Sequence, residues 1–402
     1  EHHADSRRVL VDLVKVLVEV FAPEAYPLVR IVEHPDRAGL EKPRHSLDVG
    51  PLLAGERQAH IIFTTRDRPD HPASLSQHYD HPDGVRKPGQ SPATLFWVRA
   101  PPSALLAWVA SAVSAGSRVT GIRPLRPGGA PWLLRIEGAT FSTDVVLKTG
   151  TVNHALDRER FATELAALEL GRQFGLPVPR PVAANLDDGV AGRIALVLTA
   201  LPGSSRVPAT ATKARLRSLG AAAATIHRVH RTPQLGLPLR TRPVAGVLVG
   251  RPRSAGAGAL LEPTARLVAA APAPARTTVF VHGDFWQGNT LWQADELVGL
   301  IDWEYAGAGP YGVDLGSLRC DVALMYGVPA AADVLDGWQD AMGQEAADVA
   351  YWDLVGALNT PVDIGDWLPT IRAQGRADLD RATLLERLNA FHRAALDRYH
   401  RG

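Results

Sequence analysis

The sequence predicts an α+β chain in which a strand-rich lobe precedes a larger helical lobe, with a separate α/β module ahead of both. Three observations lead there. Short apolar runs bounded by turn residues recur between residues 117 and 202. Apolar residues at helical spacing dominate from 203 onward. Polar sequence rich in Pro and His, at 69–72 and 78–92, sets the first part apart. The expected division is 1–116, 117–202 and 203–402, in keeping with the two to three units that 402 residues suggest.

Within the first region, 9–21 reads as an amphipathic helix, because Asp12, Lys15 and Glu19 interrupt its apolar run at helical spacing. Strands are expected at 26–32, 58–64 and 94–98, and a helix over Ser103–Val113 closes the region. In the second region, 119–125 is a strand and Arg126-Pro127-Gly128-Gly129-Ala130-Pro131 a turn. Strands follow at 132–137 and 144–149. A helix over Ala155–Gln173 carries Phe161, Leu165 and Leu168 on its apolar face, with Phe174 behind them, and Gly175-Leu176-Pro177 ends it. A last strand lies at 194–199, and Leu201-Pro202-Gly203 marks the boundary. The third region opens with an Ala-rich helix at 216–229. Residues 231–275 carry no assignable pattern, strands are expected at 278–281 and 298–301, and helices run on to the end.

Composition narrows the function. With 46% hydrophobic and 21% charged residues the chain can bury a substantial core. A formal net charge of +1 offers no basis for a nucleic-acid or membrane-surface partner. The 9–21 run is too short and too charged to span a bilayer. The single cysteine, Cys320, cannot form an intrachain disulfide or a cysteine-based zinc site. The expected location is the cytoplasm.

The densest chemistry lies in His282-Gly283-Asp284-Phe285-Trp286-Gln287-Gly288-Asn289, followed by Leu300-Ile301-Asp302-Trp303-Glu304. Phosphoryl transfer from a nucleotide needs a carboxylate to orient and deprotonate the attacking hydroxyl, and oxygen ligands to hold magnesium against the phosphates. Asp284, on a turn after an apolar strand, suits the base. Asn289 and Asp302 offer hard oxygen ligands, and a hairpin over 290–301 would return Asp302 to the loop. Upstream, Lys148 ends the apolar run Val145-Val146-Leu147, where an ammonium is costly to bury unless paired. Glu164 on the following helix is the preferred partner, with Glu159 and Glu169 as alternatives.

The His-x-Asp-x-x-x-x-Asn spacing with a later metal-binding Asp is that of the protein kinases. In the form H-G-D-x-x-x-G-N with I-D-W-E it resembles the aminoglycoside phosphotransferase family. The resemblance covers about residues 117–402 and leaves 1–116 outside. It implies a bilobal protein-kinase-like fold and an enzyme using ATP, with GTP as the alternative donor, and Mg2+. It further implies that Lys148, held by Glu164, meets the α- and β-phosphates, and that the turn with Gly128 and Gly129 covers them. The adenine is expected at the connection around Thr199 and Leu201. His282 and Asp314 are expected to support the catalytic loop rather than take part in the reaction.

The acceptor is expected to be a hydroxyl on a small molecule. Only residues 303–313 separate Asp302 from Asp314, and no A-P-E follows to mark a peptide-docking segment. Asp353, Asp363, Asp366 and Trp367 combine carboxylates with aromatic faces, a mixture suited to an amine-bearing substrate. Two other readings stand beside this one. One is a kinase acting on a peptide or protein recognised through 1–116. The other is a non-catalytic nucleotide-binding scaffold, against which the complete set Lys148, Glu164, Asp284, Asn289 and Asp302 argues.

Overall fold

The computed structural model describes three short strands in the first hundred residues and then residues 100–401, apart from 127–128, 235, 244–259, 272–273 and 275–277. The chain divides into two compact units, residues 1–93 and 94–402. In the first unit, β1 (Val29–Glu33), β2 (His45–Val49) and β3 (Ala59–Phe63) form an antiparallel meander, with Val29 opposite Val49 and His45 opposite Phe63. Strand β2 was not expected from the sequence. The helix expected at 9–21 and the strand at 94–98 lie outside the described residues.

The second unit opens with α1 (Ser103–Val113), which belongs with the sheet that follows rather than with the module before it. Leu105 and Val109 of this helix are fully buried against Trp132, Leu134, Ile136, Val145, Leu147 and Val197. The sheet comprises β4 (Arg118–Arg126), β5 (Gly129–Glu137), β6 (Ser142–Thr151), β7 (Pro181–Val190) and β8 (Arg193–Thr199). Its order is β4-β5-β6-β8-β7, antiparallel throughout. The alternation of strand side chains decides where Lys148 goes. Val145 and Leu147 pack in the α1 cluster, so Val146 and Lys148 point to the opposite face. That face carries α2 (Ala155–Gln173), whose Phe161 and Leu168 pack with Ile194, Leu196 and Leu198. Phe174, expected in line with the apolar face, is 53% exposed because the helix has already ended at Gln173. The edge strand β7 went unread in the sequence, since its Asn185-Leu186-Asp187-Asp188-Gly189 has the composition of a loop.

The helical lobe is built on α3 (Lys213–His227), α4 (Leu261–Ala270), α5 (Gly312–Tyr326), α6 (Val328–Met342), α7 (Val349–Leu358), α8 (Leu368–Ala373) and α9 (Arg381–Arg401). Helix α4 lies in the stretch that the sequence left unassigned. Helices α3 and α6 cross at backbone contact: a Cβ on Gly220 would collide with the Val334 carbonyl, and one on Gly337 with that of Arg217. Helix α7 is buried over most of its length, from Tyr351 to Leu358. Among the described residues no helix is long and apolar enough to cross a membrane.

Two small antiparallel ribbons lie in this lobe. β9 (Val279–Val281) pairs with β12 (Gly307–Gly309), and β10 (Thr290–Gln293) with β11 (Glu296–Leu300). The pairing is nested: Val281 stands opposite Gly307, and Thr290 opposite Leu300. Nesting sets the loop 282–289 beside the loop 301–306, and Ile301 N–H donates to the Asn289 carbonyl (3.0 Å) to seal them together.

Candidate active site

The floor beneath the two loops is aromatic. Phe280 stacks on Trp303 with centroids 5.2 Å apart, and the His282 ring lies 4.4 Å from Trp303. His282 is completely buried. Its Nε2 donates to the Ile301 carbonyl at 2.9 Å, which leaves Nδ1 to accept from the Asp284 N–H at 3.4 Å. This pattern needs a neutral ring, and burial lowers its basicity accordingly. Asp314, in the first turn of α5, accepts from the N–H of His282 at 2.7 Å and of Gly283 at 2.8 Å. His227 lies 3.1 Å from the same carboxylate and takes a bond from Trp338 on its other nitrogen. Gly283 has φ of +81°, and a side chain there would strike the Tyr305 carbonyl. The loop can therefore approach 301–306 this closely only with glycine at that position.

Asp284 emerges from this scaffold. Asn289 Nδ2 donates to the Asp284 carbonyl oxygen at 2.9 Å and to its Oδ2 at 3.1 Å. Burial pushes the Asp284 carboxyl up to about 7; the charge of Asp302 adds to the rise, and the Asn289 hydrogen bond opposes it. With both contacts made through Nδ2, the Asn289 carbonyl Oδ1 is left buried without a partner among the described residues. A buried orphan acceptor is uncommon in a folded protein and marks a place where another donor or a cation belongs.

Across the loop, Lys148 joins the sheet to the helical lobe. Its Nζ lies 2.5 Å from Glu164 Oε2, 2.8 Å from Asp302 Oδ1 and 3.5 Å from Glu304 Oε2. Asp302 Oδ2 accepts from the Arg126 guanidinium at 2.6 Å. Burial by itself would raise Asp302, but the charges of Lys148 and then Arg126 outweigh it and hold the group well below the usual carboxylate range. Lys148 is stabilised as the cation in the same way, burial being overcome by Asp302 and Glu164. Asp302 itself has φ of +69°, in the left-handed region that Asp tolerates better than most residues. Glu164, Asp302 and Glu304 bring one oxygen each within 4.8 Å of one another. These carboxylates, and the unpartnered Asn289 Oδ1, are hard oxygen donors of the kind that magnesium takes.

The structure thus brings Lys148, Glu164, Asp284, Asn289 and Asp302 into one cluster, with His282 and Asp314 beneath them. Glu159 and Glu169, the competitors of Glu164 in the sequence, are not among the partners of Lys148. Gly129 closes the β4–β5 connection opposite Arg126, whereas Gly128 lies outside the described residues. Thr199 ends β8, and its Oγ1 accepts from Arg180 N–H at 2.9 Å. The backbone N–H and C=O of Leu201 make no hydrogen bond to a described residue.

The residues expected to hold the substrate fall differently. Asp353 is completely buried in the helical lobe: Arg319 grips both its oxygens, at 2.8 and 2.9 Å, and Arg398 adds a bond at 2.6 Å. It is a structural anion, because α7 is sunk in the core and carries the side chain inward. Asp363 caps a one-turn 3-10 helix through Gly365 N–H at 2.8 Å and pairs with Arg381. Trp367 is half-buried, packed against the cluster around Ile364, Ile371 and Leu384, while Asp366 is exposed. Sequence reasoning missed Arg126 and Glu304 as site residues. Glu304, two residues past Asp302, was within reach of a spacing argument; Arg126 was not, since its partner lies 176 residues away.

A five-stranded antiparallel sheet, joined by the linker 200–204 to a helical lobe with an H-G-D loop at the junction, defines a kinase-like phosphotransferase. The chain belongs to the phosphotransferase enzyme family (APH), whose sequence pattern matches residues 125–352. None of the curated proteins matches the sequence. Similar solved structures include an aminoglycoside-3'-phosphotransferase of type VIII, at 18% identity over 60% of this chain and 93% of that one, with a TM-score of 0.42. A macrolide 2'-phosphotransferase from Brachybacterium faecium matches at 18% identity over 71% of this chain and 98% of its own, with a TM-score of 0.46. A microcompartment-associated aminopropanol kinase matches at 16% over 73% and 95%, with a TM-score of 0.48.

Proposed function

We propose that the protein transfers the γ-phosphoryl group of ATP to a hydroxyl group of a small molecule, with GTP as the alternative donor. The observation that carries this reading is the pairing of Asp284, a half-buried carboxyl held near neutrality, with Asn289, whose buried Oδ1 has no partner among the described residues. A carboxyl tuned to about 7 is suited to general-base work at physiological pH. An orphan amide oxygen beside it suits a metal ligand.

In this mechanism Lys148, fixed by Glu164, meets the α- and β-phosphates. Asn289 and Asp302 would hold Mg2+, which when bound would neutralise the charge of the phosphates. The free N–H and C=O of Leu201 receive the adenine edge. Asp284 accepts the hydroxyl proton as the hydroxyl oxygen bonds to the γ-phosphorus; the bond from that phosphorus to the β,γ-bridging oxygen breaks, and ADP leaves. His282 and Asp314 carry no proton in this scheme and hold the loop in place. Residues 117–202 serve as the nucleotide lobe and 203–402 as the acceptor lobe.

A small acceptor is favoured over a peptide because residues 303–311 run directly from Asp302 to α5 and contain only the three-residue strand β12. With Asp353 committed to Arg319 and Arg398, an amine-binding role for that carboxylate falls away. The test is magnesium-dependent ADP release in the presence of amino sugars, amino alcohols, polyols and short Ser/Thr peptides. Stimulation by a small alcohol, lost in the Asp284→Asn protein, supports the reading. Stimulation by peptides alone would overturn the acceptor class, and nucleotide turnover indifferent to every acceptor would overturn transfer itself.

A further inference from the structure

Both oxygens of Asp302 are already taken by cations, and the two cations are unlike each other. Lys148, on Oδ1, is 12% exposed at its side chain and is held as well by Glu164 and Glu304. Arg126, on Oδ2, has a side chain 53% exposed and no other ion-pair partner among the described residues. It stands at the last position of β4, ahead of the β4–β5 connection. Lys148 is therefore anchored from three sides, whereas Arg126 is attached only through the one carboxylate that a metal ion would need.

We propose that Arg126 is an exchangeable cation of the active site: it holds Asp302 while the site is empty, releases it to the metal ion, and then binds the phosphoryl group in transfer. The proposal rests on the phosphotransferase reading and adds a residue to it. The guanidinium, half-exposed at the end of β4, can leave Asp302 without breaking another ion pair among the described residues. Its field already reaches Asp302, Glu304 and Asp284, the groups that enclose the expected position of the γ-phosphate. A planar guanidinium can grip two phosphate oxygens at once, which an ammonium cannot. Charge balance points the same way. Glu164, Asp302 and Glu304 face Lys148 and Arg126, so Arg126 could withdraw without loss of charge balance where a divalent ion is held, and nucleotide phosphates would offer it a new counter-ion.

Two opposite effects of one substitution follow. Arg126→Gln frees Asp302 for the metal, so the Mg2+ concentration giving half-maximal binding of a non-hydrolysable ATP analogue should fall about two- to five-fold, the worth of one half-exposed ion pair. The same change should lower kcat about 100-fold, by loss of a phosphate-binding charge. Arg126→Lys should restore the wild-type Mg2+ midpoint but only part of kcat, since an ammonium pairs with Asp302 yet cannot bind two oxygens. Analogue binding is measured by calorimetry across a Mg2+ series, and kcat by ADP release with whichever amino sugar, amino alcohol or polyol stimulates the wild-type protein most. A Mg2+ midpoint and kcat both within two-fold of wild type in Arg126→Gln overturn the proposal. A lowered midpoint with unchanged kcat overturns its phosphate half and leaves Arg126 as a plug. Failure of the wild-type protein to bind the analogue with Mg2+ would sink the phosphotransfer reading, and this proposal with it; normal wild-type binding with an indifferent variant sinks only this proposal.

Discussion

The Lys148 ammonium lies 2.5 Å from the Glu164 carboxylate, and the same nitrogen lies 2.8 Å from Asp302. One buried cation thus ties β6, α2 and the loop after β11 together. Loss of one partner from a buried charge group costs more than loss of the whole group, because the remainder stays desolvated.

Lys148→Met leaves Glu164, Asp302 and Glu304 facing one another with only Arg126 to balance them. It is expected to destabilise the protein by about 3–5 kcal/mol. Glu164→Gln leaves Lys148 paired with Asp302 and Glu304, and should cost less than about 2 kcal/mol. Urea denaturation of both variants measures the difference. Equal losses would contradict the assignment of Lys148 as the shared cation.

Asp284→Asn removes the carboxylate without removing either proposed metal ligand. Turnover should fall by about 10²–10⁴-fold, the usual worth of a general base. Binding of the ATP analogue should stay within a factor of about three, since neither proposed metal ligand is replaced and an asparagine at 284 keeps an oxygen that can accept from Asn289. Wild-type turnover in this variant would remove Asp284 from the mechanism.

The Asp314 oxygens serve two backbone N–H groups and His227. Asparagine has the same shape, but its amide nitrogen would meet one of those donors with another donor. Each buried group left unsatisfied costs about 1–3 kcal/mol, so Asp314→Asn should destabilise by about 2–4 kcal/mol. Because the loop carrying Asp284 hangs on these bonds, kcat should fall with it while nucleotide affinity holds. A variant as stable as wild type would show that the loop is held by other contacts.

Burial pushes Asp321 up to about 6, against the hydrogen bonds it accepts from Gln287, from an ordinary value of 3.8. A carboxyl raised in the folded state favours folding only while protonated. Its contribution is whole below about 3.8, declines as pH rises, and is gone above about 6. Asp321→Asn keeps an acceptor for Gln287 and cannot ionise. Its stability relative to wild type should therefore climb between pH 4 and 6 and level off above about 7. Thermal unfolding across that range gives the curve, and a constant difference would refute the titration of Asp321.

Much of the frame could be read from residue order. The helix Ala155–Gln173 carries both its apolar face and its Gly-Pro stop in the sequence, and the structure ends it where that stop predicts. The strand around Lys148 was legible from its apolar run, as were the short strands on either side of the H-G-D loop. These are local properties: periodicity, turn chemistry and the spacing of chemical groups within about twenty residues. Strand β7 was not legible, because pairing with β8 rather than composition makes it a strand. The placement of α1 was also hidden. Its apolar face is plain in the sequence, but only packing shows that it covers the five-stranded sheet.

The site divides along the same line. The order of residues placed Asp284 and Asn289 on one loop and Asp302 just past the next strand, since a hairpin brings back what is close along the chain. It could not distinguish a carboxylate that faces a cleft from one that faces a core. Asp353 and Asp284 are both acids beside aromatic residues; two arginines from other helices enclose the first, and the Asn289 amide borders the second. Nor could it pair Arg126 or Lys148 with Asp302 across 176 and 154 residues. Chain neighbours determine what a segment can form and what chemistry it carries. The closing of the two lobes determines which charges meet, because an ion pair depends on distance in space, and the sequence does not contain that distance.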